Sequence, residues 1–281
     1  MLNPLISIYM PTHNRVLLLQ RAVQSVLNQT YKNFELIIVD DGSSDETWAY
    51  LQDLAERFCS IKCYRVDTPQ GACNARNIAI QSAKGKYITG LDDDDEFKPD
   101  RLSQLLDAYQ PDYAFVCTNF SEQKNGCQSV NEQMAKDIIR SSSTLIFQNT
   151  ASNQIFTETY KLLAIGGFNI NLKKLQDWDV WLRLSIQFGD FLKLASPSYI
   201  MHHDHEGPRV TNNMTYAKAV EALIEQNRSY YSEQELHQLT YLIKYFKNEL
   251  KFIDILFNVT SFNDLILFKW YIFQTYKMLF K

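Results

Sequence analysis

A chain of 281 residues with 46% hydrophobic and 21% charged side chains has the make-up of one large α/β domain, or of a domain with a smaller appendage, and not of a disordered protein. Its formal net charge of −4 argues against a general nucleic-acid binder, whose domain would be basic. Five cysteines, Cys59, Cys63, Cys73, Cys117 and Cys127, form no C-x-x-C pair, which disfavours a zinc site and points to reduced thiols in a cytoplasmic setting. The start, Met1-Leu-Asn-Pro-Leu5, lacks the pattern of a signal peptide, and no run reaches the roughly 18 apolar residues of a spanning helix.

In chain order, Leu5 to Tyr9 reads as a strand ending at Pro11. Val16 to Leu27 has helical apolar spacing, with Asn14 as its expected cap. Phe34 to Val39 is apolar almost throughout and therefore a central strand. It runs into Asp40-Asp-Gly-Ser-Ser-Asp45, where Asp45 caps a helix through Phe58. Ile61 to Val66, Tyr87 to Leu91 and Tyr113 to Thr118 are further strands, alternating with helices over Ala72 to Ala83 and from Pro99 to about Tyr109. This alternation predicts right-handed βαβ units and a Rossmann-like, mostly parallel sheet. The loops at residues 11–15, 40–45, 67–76 and 92–96 then share one rim. Beyond Thr118 the alternation stops: residues 119–150 read as polar and irregular, Gly166-Gly-Phe168 as a turn, Leu175 to Phe188 as a helix, Leu192 to Met201 as a strand, and the chain from Tyr216 onward as helical.

Four consecutive aspartates, Asp92 to Asp95, stand at the end of the Tyr87–Leu91 strand. Open α/β sheets bind ligands at the carboxyl ends of their strands. Like charges this close recruit a counter-ion, and hard divalent cations favour oxygen ligands. Asp92 and Asp94, two apart in extended chain, point the same way and are the metal candidates. Asp93 and Asp95 would brace the loop. There is no G-x-G-x-x-G and no G-x-x-x-x-G-K-[ST], so neither a dinucleotide fingerprint nor a P-loop is present. Asp40 and Asp41 can accept hydrogen bonds from a ribose or a base, although Asp41-Gly42 also suits a plain turn.

Six segments now fall in order: Pro11-Thr-His-Asn-Arg15, Val39-Asp-Asp-Gly-Ser-Ser-Asp45, Gly71 with Ala75-Arg-Asn77, Gly85-Lys-Tyr-Ile88, Leu91-Asp-Asp-Asp-Asp95 and Pro99-Asp-Arg-Leu102. Together they resemble the family 2 glycosyltransferases, inverting enzymes with the A-type glycosyltransferase fold. The resemblance covers residues 4–118 and returns at Gly166-Gly-Phe168 and Gln176-Asp-Trp-Asp-Val-Trp-Leu-Arg183. The Ile88–Phe97 stretch further resembles bacterial enzymes that extend O-antigen, capsule or protein-glycan oligosaccharides on lipid carriers.

The resemblance implies that Pro11, Thr12, Asn14 and Arg15 line a nucleotide pocket, with Asp41 at the uracil edge, Asp40 nearby, and Asp67, Arg76 and Asp93 completing it. It implies Mn2+ or Mg2+ on Asp92 and Asp94, with Asp94 the main ligand and His205 a further one. Asp177 would be the general base, in a pair that reads Gln176-Asp177 where the family usually has Glu-Asp. Asp177 also suits a helix cap, and both roles can coexist. Trp178 would be core or would stack on the acceptor. His203 and Arg209 would reach the acceptor or the diphosphate.

The expected activity is transfer of a hexose from a UDP-sugar, glucose or galactose favoured and N-acetylglucosamine possible, to a saccharide acceptor, expected to be lipid-linked, in bacterial surface-glycan synthesis. A sugar nucleotidyltransferase and an inactive sugar-nucleotide-binding protein are the alternatives. The expected organisation is 1–118 for the nucleotide-sugar half, 119–215 for the acceptor and base half of the same domain, and 216–281 for a C-terminal helical region. The apolar, Lys-dotted stretches Leu250–Phe257 and Leu265–Phe273 suit either contact with the cytoplasmic face of the inner membrane or packing on the core. Oligomeric state is not legible.

Overall fold

The computed structural model describes residues 3–131, 134–151, 154–203, 215–251, 254 and 272. The chain divides into two compact units, Met1–Asn171 with Gln176–Gly207, and Leu172–Leu175 with Pro208–Lys281.

The first unit begins with β1 (Ile6–Thr12), α1 (Val16–Leu27), β2 (Phe34–Asp40), α2 (Thr47–Arg57), β3 (Ile61–Arg65), α3 (Ala72–Ser82) and β4 (Tyr87–Gly90). It continues with β5 (Glu96–Phe97), α4 (Arg101–Ala108), β6 (Val116–Lys124), β7 (Cys127–Val130), β8 (Ile138–Arg140) and α5 (Ser143–Ile146). It closes with β9 (Ile155–Glu158), α6 (Thr159–Ala164), α7 (Gln176–Phe188) and β10 (Phe191–His202).

Strand order is β3-β2-β1-β4-β9-β6-β10-β5, with β7 on β6 and β8 on β10. Every residue of β1 and β2 is buried, as expected of near-continuous apolar runs covered on both faces. The β3-β2-β1-β4 side is parallel, as the alternation predicts. Beyond it the sheet becomes mixed, because β9 runs antiparallel to both β4 and β6. β10 returns parallel to β6 and bulges around Pro197, which cannot donate to the ladder.

Residues 119–150 are more regular than expected. β6 and β7 form a hairpin closed by Asn125-Gly126, whose positive φ values of 51° and 75° suit a two-residue primed turn. The Asn-Gly pair announces this turn. Its polar surroundings hide it, since all of β7 is exposed.

At the opposite end of the sheet from the aspartates, Glu35 gathers the starts of β1, β2 and β4. It accepts hydrogen bonds from Ser7 Oγ (2.7 Å), the Lys84 N–H (2.6 Å), the Gly85 N–H (3.2 Å) and Lys62 Nζ. Burial pushes its pKa up, but the hydrogen bonds from Lys62, Ser7 and Lys84 outweigh this and hold the carboxyl below its ordinary value. A depressed carboxylate stabilises the fold above the unfolded pKa, about 4.3 for Glu, and that contribution is lost as pH falls through the folded value. Glu35→Gln is therefore expected to cost about 1–3 kcal/mol at pH 7, the scale of hydrogen bonds to a charged group. Urea denaturation at several pH values checks it: the gap between wild type and variant should shrink in acid, and a pH-independent gap would contradict the linkage.

The second unit contains α8 (Tyr216–Gln226), a 3₁₀ turn (Arg228–Tyr230) and α9 (Glu233–Lys247). Ser232 and Glu235 form a capping box at the start of α9, and Asn248 ends it in the left-handed conformation. Tyr216 packs on Phe246 with ring centroids 4.5 Å apart, and Lys247 pairs with Glu221 at 2.6 Å. Among the described residues no helix is long and apolar enough to cross a membrane. The stretches 250–257 and 265–273 fall almost wholly outside the described residues.

Candidate active site

The carboxyl ends of β1, β2 and β4 bring three of the expected loops together and tie them by hydrogen bonds. Thr12, the last residue of β1, donates from Oγ1 to Asp93 Oδ2 at 2.8 Å. Pro11 beside it is buried in the strand. Asn14 does not cap α1. It adopts φ 52°, its N–H donates to Ser43 Oγ at 2.8 Å, and its side-chain carbonyl accepts from the Ser44 N–H at 2.7 Å. The left-handed conformation, which Asn tolerates, turns the chain and joins the first loop to the second. Arg15 takes the cap position without a side-chain cap bond.

Asp40 and Asp41 are both buried. Asp40 Oδ1 accepts from the Ser43 N–H at 3.0 Å, and Arg65 Nε lies 3.5 Å from Oδ2. Asp41 accepts from the Gln70 N–H at 2.8 Å and the Gly71 N–H at 2.7 Å, which anchors the approach to α3. A carboxylate has about four acceptor sites, so Asp41 retains capacity for a ligand. Asp67 is exposed just beyond β3.

The four aspartates divide by direction. Asp93 is buried on Thr12 and Arg15, and Asp95 is buried on the Tyr199 hydroxyl (2.8 Å) and the His202 N–H (2.9 Å). Burial pushes the Asp93 carboxyl up to about 6 against the pull of Arg15, and pushes Asp95 well above its ordinary value with Asp94 and Asp92 adding to the rise. Asp92 and Asp94 are partly exposed, with side-chain exposures of 24% and 19%. Each meets a guanidinium: Arg76 Nη2 donates to Asp92 Oδ1 at 2.7 Å, and Arg15 Nη1 to Asp94 Oδ2 at 3.0 Å. Gln154 Nε2 also donates to Asp92, at 3.3 Å.

Arg76 lies on the ring of Phe168, 5.1 Å from its centroid. Asn77, its neighbour on α3, clamps Phe168 from both sides, accepting from its N–H at 2.7 Å and donating to its carbonyl at 2.8 Å. Gly167 has φ 69°, and a Cβ there would meet Asn77 Oδ1 at 2.4 Å, so this turn requires glycine. Arg183 donates to the carbonyls of Ile165 and Gly167, both at 2.7 Å, and pairs with Asp179. The Ala-Arg-Asn segment, the Gly-Gly-Phe turn and α7 are thus one packed assembly.

That assembly places Asp177 in the first turn of α7, where its negative charge faces the positive end of the helix. Its Oδ1 is buried with no hydrogen-bond partner among the described residues. Burial pushes its carboxyl up to about 7, with Arg76 pulling down and Asp92 pushing up. A carboxylate with such a pKa and a vacant acceptor suits general-base work near neutral pH. Gln176 opens α7 and is partly exposed. Trp178 is only 2% exposed and its indole N–H donates to the Leu145 carbonyl, so it is a core residue with no free face for a sugar. Trp181 is fully buried.

His203 follows β10; its N–H donates to the Gln123 carbonyl at 2.9 Å and Nε2 lies 3.6 Å from Glu122, both on β6. His205 and Arg209 lie outside the described residues.

No group of three or more acids, histidines and cysteines that could hold a metal is present among the described residues. Two partly exposed carboxylates are nevertheless the donor set that Mg2+, and by its hard-oxygen preference Mn2+, takes from a protein when substrate phosphates and water supply the rest. Asp92 and Asp94 fit such an ion.

Gln154 and Tyr199 are site residues that the sequence does not announce. Both touch the aspartate loop from far along the chain, with separations of 62 and 107 residues from Asp92. Gly90 lets Gln154 approach, since a Cβ there would meet its Oε1 at 2.2 Å.

A parallel βα half ending in an aspartate loop, joined to a mixed half that presents a further carboxylate, defines an A-type glycosyltransferase. The chain belongs to that class through the Glycosyl transferase family 2, which matches residues 7–165. It is 37% identical over 217 residues to the Escherichia coli (strain K12) protein named "Putative colanic acid biosynthesis glycosyl transferase WcaA", covering 75% of this chain and 77% of that one. It is also 37% identical over 124 residues to the Campylobacter jejuni GalNAc(5)-diNAcBac-PP-undecaprenol beta-1,3-glucosyltransferase, covering 44% of this chain and only 40% of that protein. Its fold matches Staphylococcus aureus TarS 1–349 in complex with UDP-GlcNAc with a TM-score of 0.68 and 18% identity, covering 87% of this chain and 72% of that one.

Proposed function

We propose that the protein is an inverting, metal-dependent glycosyltransferase that moves a hexose from a UDP-sugar to a saccharide acceptor, carried on a lipid, in bacterial surface-glycan synthesis. The observation that carries the reading is Asp177, with its unpartnered buried oxygen and raised pKa, set in the electrostatic reach of Asp92. The relatives support the setting: one is named for colanic acid synthesis and another for an undecaprenol-linked substrate, and TarS was crystallised with UDP-GlcNAc. Glucose or galactose remains the favoured sugar, and N-acetylglucosamine is the third candidate.

In this reading Asp94, with Asp92, would hold Mn2+ or Mg2+, and the ion when bound would supply Lewis-acid neutralisation of diphosphate charge. Thr12, Asp40 and Asp41 form the wall against which the nucleoside lies. Asp177 takes the proton of the acceptor hydroxyl as its oxygen bonds to the anomeric carbon and the bond from that carbon to the UDP oxygen breaks. Attack opposite the leaving group inverts the centre, so an α-linked donor gives a β-linkage. Arg15 and Arg76, which pair with the aspartate loop, would supply guanidinium donors for phosphate oxygens beside it.

A panel of UDP-sugars with and without Mn2+ tests the reading. Thermal stabilisation by UDP and one hexose donor, present only with the cation, is expected, because a ligand that binds the folded state raises its stability. Transfer to a lipid-linked saccharide should follow with the same donor. Pyrophosphate exchange instead of transfer would mark a nucleotidyltransferase, and binding without turnover an inactive relative.

A further inference from the structure

Beneath the aspartate loop, apart from Arg15 and Arg76, lies an arginine that the proposed chemistry does not touch. Arg101 opens α4 and is fully buried. Buried charges are normally paired with an opposite charge. Among the described residues Arg101 has hydroxyls and a carbonyl instead: Nη1 donates to Thr118 Oγ1 at 2.6 Å and Ser198 Oγ at 3.1 Å, and Nη2 to the Gln154 carbonyl at 3.3 Å. Its guanidinium also lies against two rings, 4.8 Å from the centroid of Phe97 and 5.2 Å from that of Tyr199. Burial lowers its pKa to about 10, which leaves it charged at neutral pH.

A buried cation without a carboxylate partner is costly to keep, and the contacts of Arg101 lead to the loop of four acids. Tyr199, on whose ring it rests, donates from its hydroxyl to Asp95 Oδ2 at 2.8 Å and accepts the Asp92 N–H at 3.4 Å. Gln154, whose carbonyl it holds, donates from Nε2 to Asp92 at 3.3 Å and accepts from the Tyr9 hydroxyl at 2.8 Å. Ser198, which it also holds, accepts the Lys98 N–H through its carbonyl at 2.9 Å and so fixes the chain leading from the loop into α4. One guanidinium thereby ties α4, β6, β10 and the approach to β9 together directly under Asp92–Asp95.

We infer that Arg101 is a positioning residue for the aspartate loop: it fixes Tyr199 and Gln154, which in turn hold Asp92 and Asp95, leaving Asp92 and Asp94 presented outward to a divalent cation and a nucleoside diphosphate. The inference rests on the donor reading given above for its ligand. Groups that orient metal ligands without touching the metal commonly control affinity as strongly as this requires.

The test compares Arg101→Met, Arg101→Lys and Tyr199→Phe. Two quantities are measured: UDP affinity as a function of Mn2+ by calorimetry, and amide hydrogen exchange of the 91–97 segment in the metal-free protein. Arg101→Met is expected to weaken Mn2+-dependent UDP binding about 10- to 100-fold, the usual range for losing such support. Arg101→Lys should recover part of that loss. Tyr199→Phe, which keeps every charge, should reproduce much of it. In the Met and Phe variants the 91–97 segment should exchange faster while α1 keeps its protection. A purely space-filling Arg101 would lower Tm and leave both readouts alone. Wild-type binding and exchange in folded Arg101→Met overturns the inference. Should that variant not fold, wild-type values in both Arg101→Lys and Tyr199→Phe overturn it equally. A wild-type protein that ignores UDP with Mn2+ would sink the donor reading instead, and the exchange measurement would still decide whether Arg101 holds the loop.

Discussion

Asp177→Asn is expected to lower turnover about 100- to 10,000-fold, the range typical of a lost general base, while UDP binding stays near wild type. The substitution keeps the shape of the side chain and removes its ability to take a proton. Wild-type kcat/KM should rise with pH along a limb centred near 7, because burial favours the neutral acid and only the ionised form can act. The same shift has a consequence for stability. A carboxyl whose folded pKa is raised gives its full contribution below the unfolded value, about 3.9 for Asp, and loses it as pH rises through the folded value. Asp177→Asn should therefore be more stable than wild type at pH 8, with the difference vanishing below about pH 4. Steady-state kinetics, calorimetry with UDP and urea denaturation read all three. Near-normal turnover in the variant would remove Asp177 from the mechanism.

Arg76→Met should damage both fold and site. Arg76 is buried between Asp92 and the Phe168 ring, and its charge also acts on Asp177. Removing one partner of a buried pair costs about 3–5 kcal/mol; Asp92 retains some solvent, so about 3 kcal/mol is expected. Without the guanidinium the Asp177 carboxyl should rise further, moving the acid limb of the rate profile to higher pH. Arg76→Lys keeps the charge but not the planar fork, and should fall between the two. The checks are the urea midpoint, the pH profile and Mn2+-dependent UDP affinity. An unchanged pH limb in a folded variant would separate Arg76 from Asp177.

These expectations rest on two kinds of information. The parallel half was legible because its cues are local. Continuous apolar runs predict β1 and β2, and helical spacing predicts α1. The acids and Asn14 fall at strand ends, which places them on one rim. The ordered motifs then led to the family. Some local signals were present yet outweighed: Asn125-Gly126 marks a hairpin, but the polar strands around it suggested irregular chain. Asn14 looked like a cap because a polar residue before an apolar helix usually is one; its positive φ and its bonds to Ser43 and Ser44 give it a different task.

The pattern of residues along the chain was enough for the strand–helix alternation, the rim of loops and the types of side chain offered to chemistry, since each depends on periodicity or on neighbours a few positions away. Packing across the chain settled the rest: the antiparallel course of β9, the burial of Trp178, the pairing of Arg76 with Asp92 and the place of Gln154, Tyr199 and Arg101 under the loop. Those contacts join residues far apart in sequence, and burial and electrostatic coupling are sums over neighbours that no local pattern encodes. That is why Asp177 could be named from a motif, whereas the burial that raises its carboxyl pKa, and the pull of Arg76 and push of Asp92 upon it, emerged only from the groups folded around it.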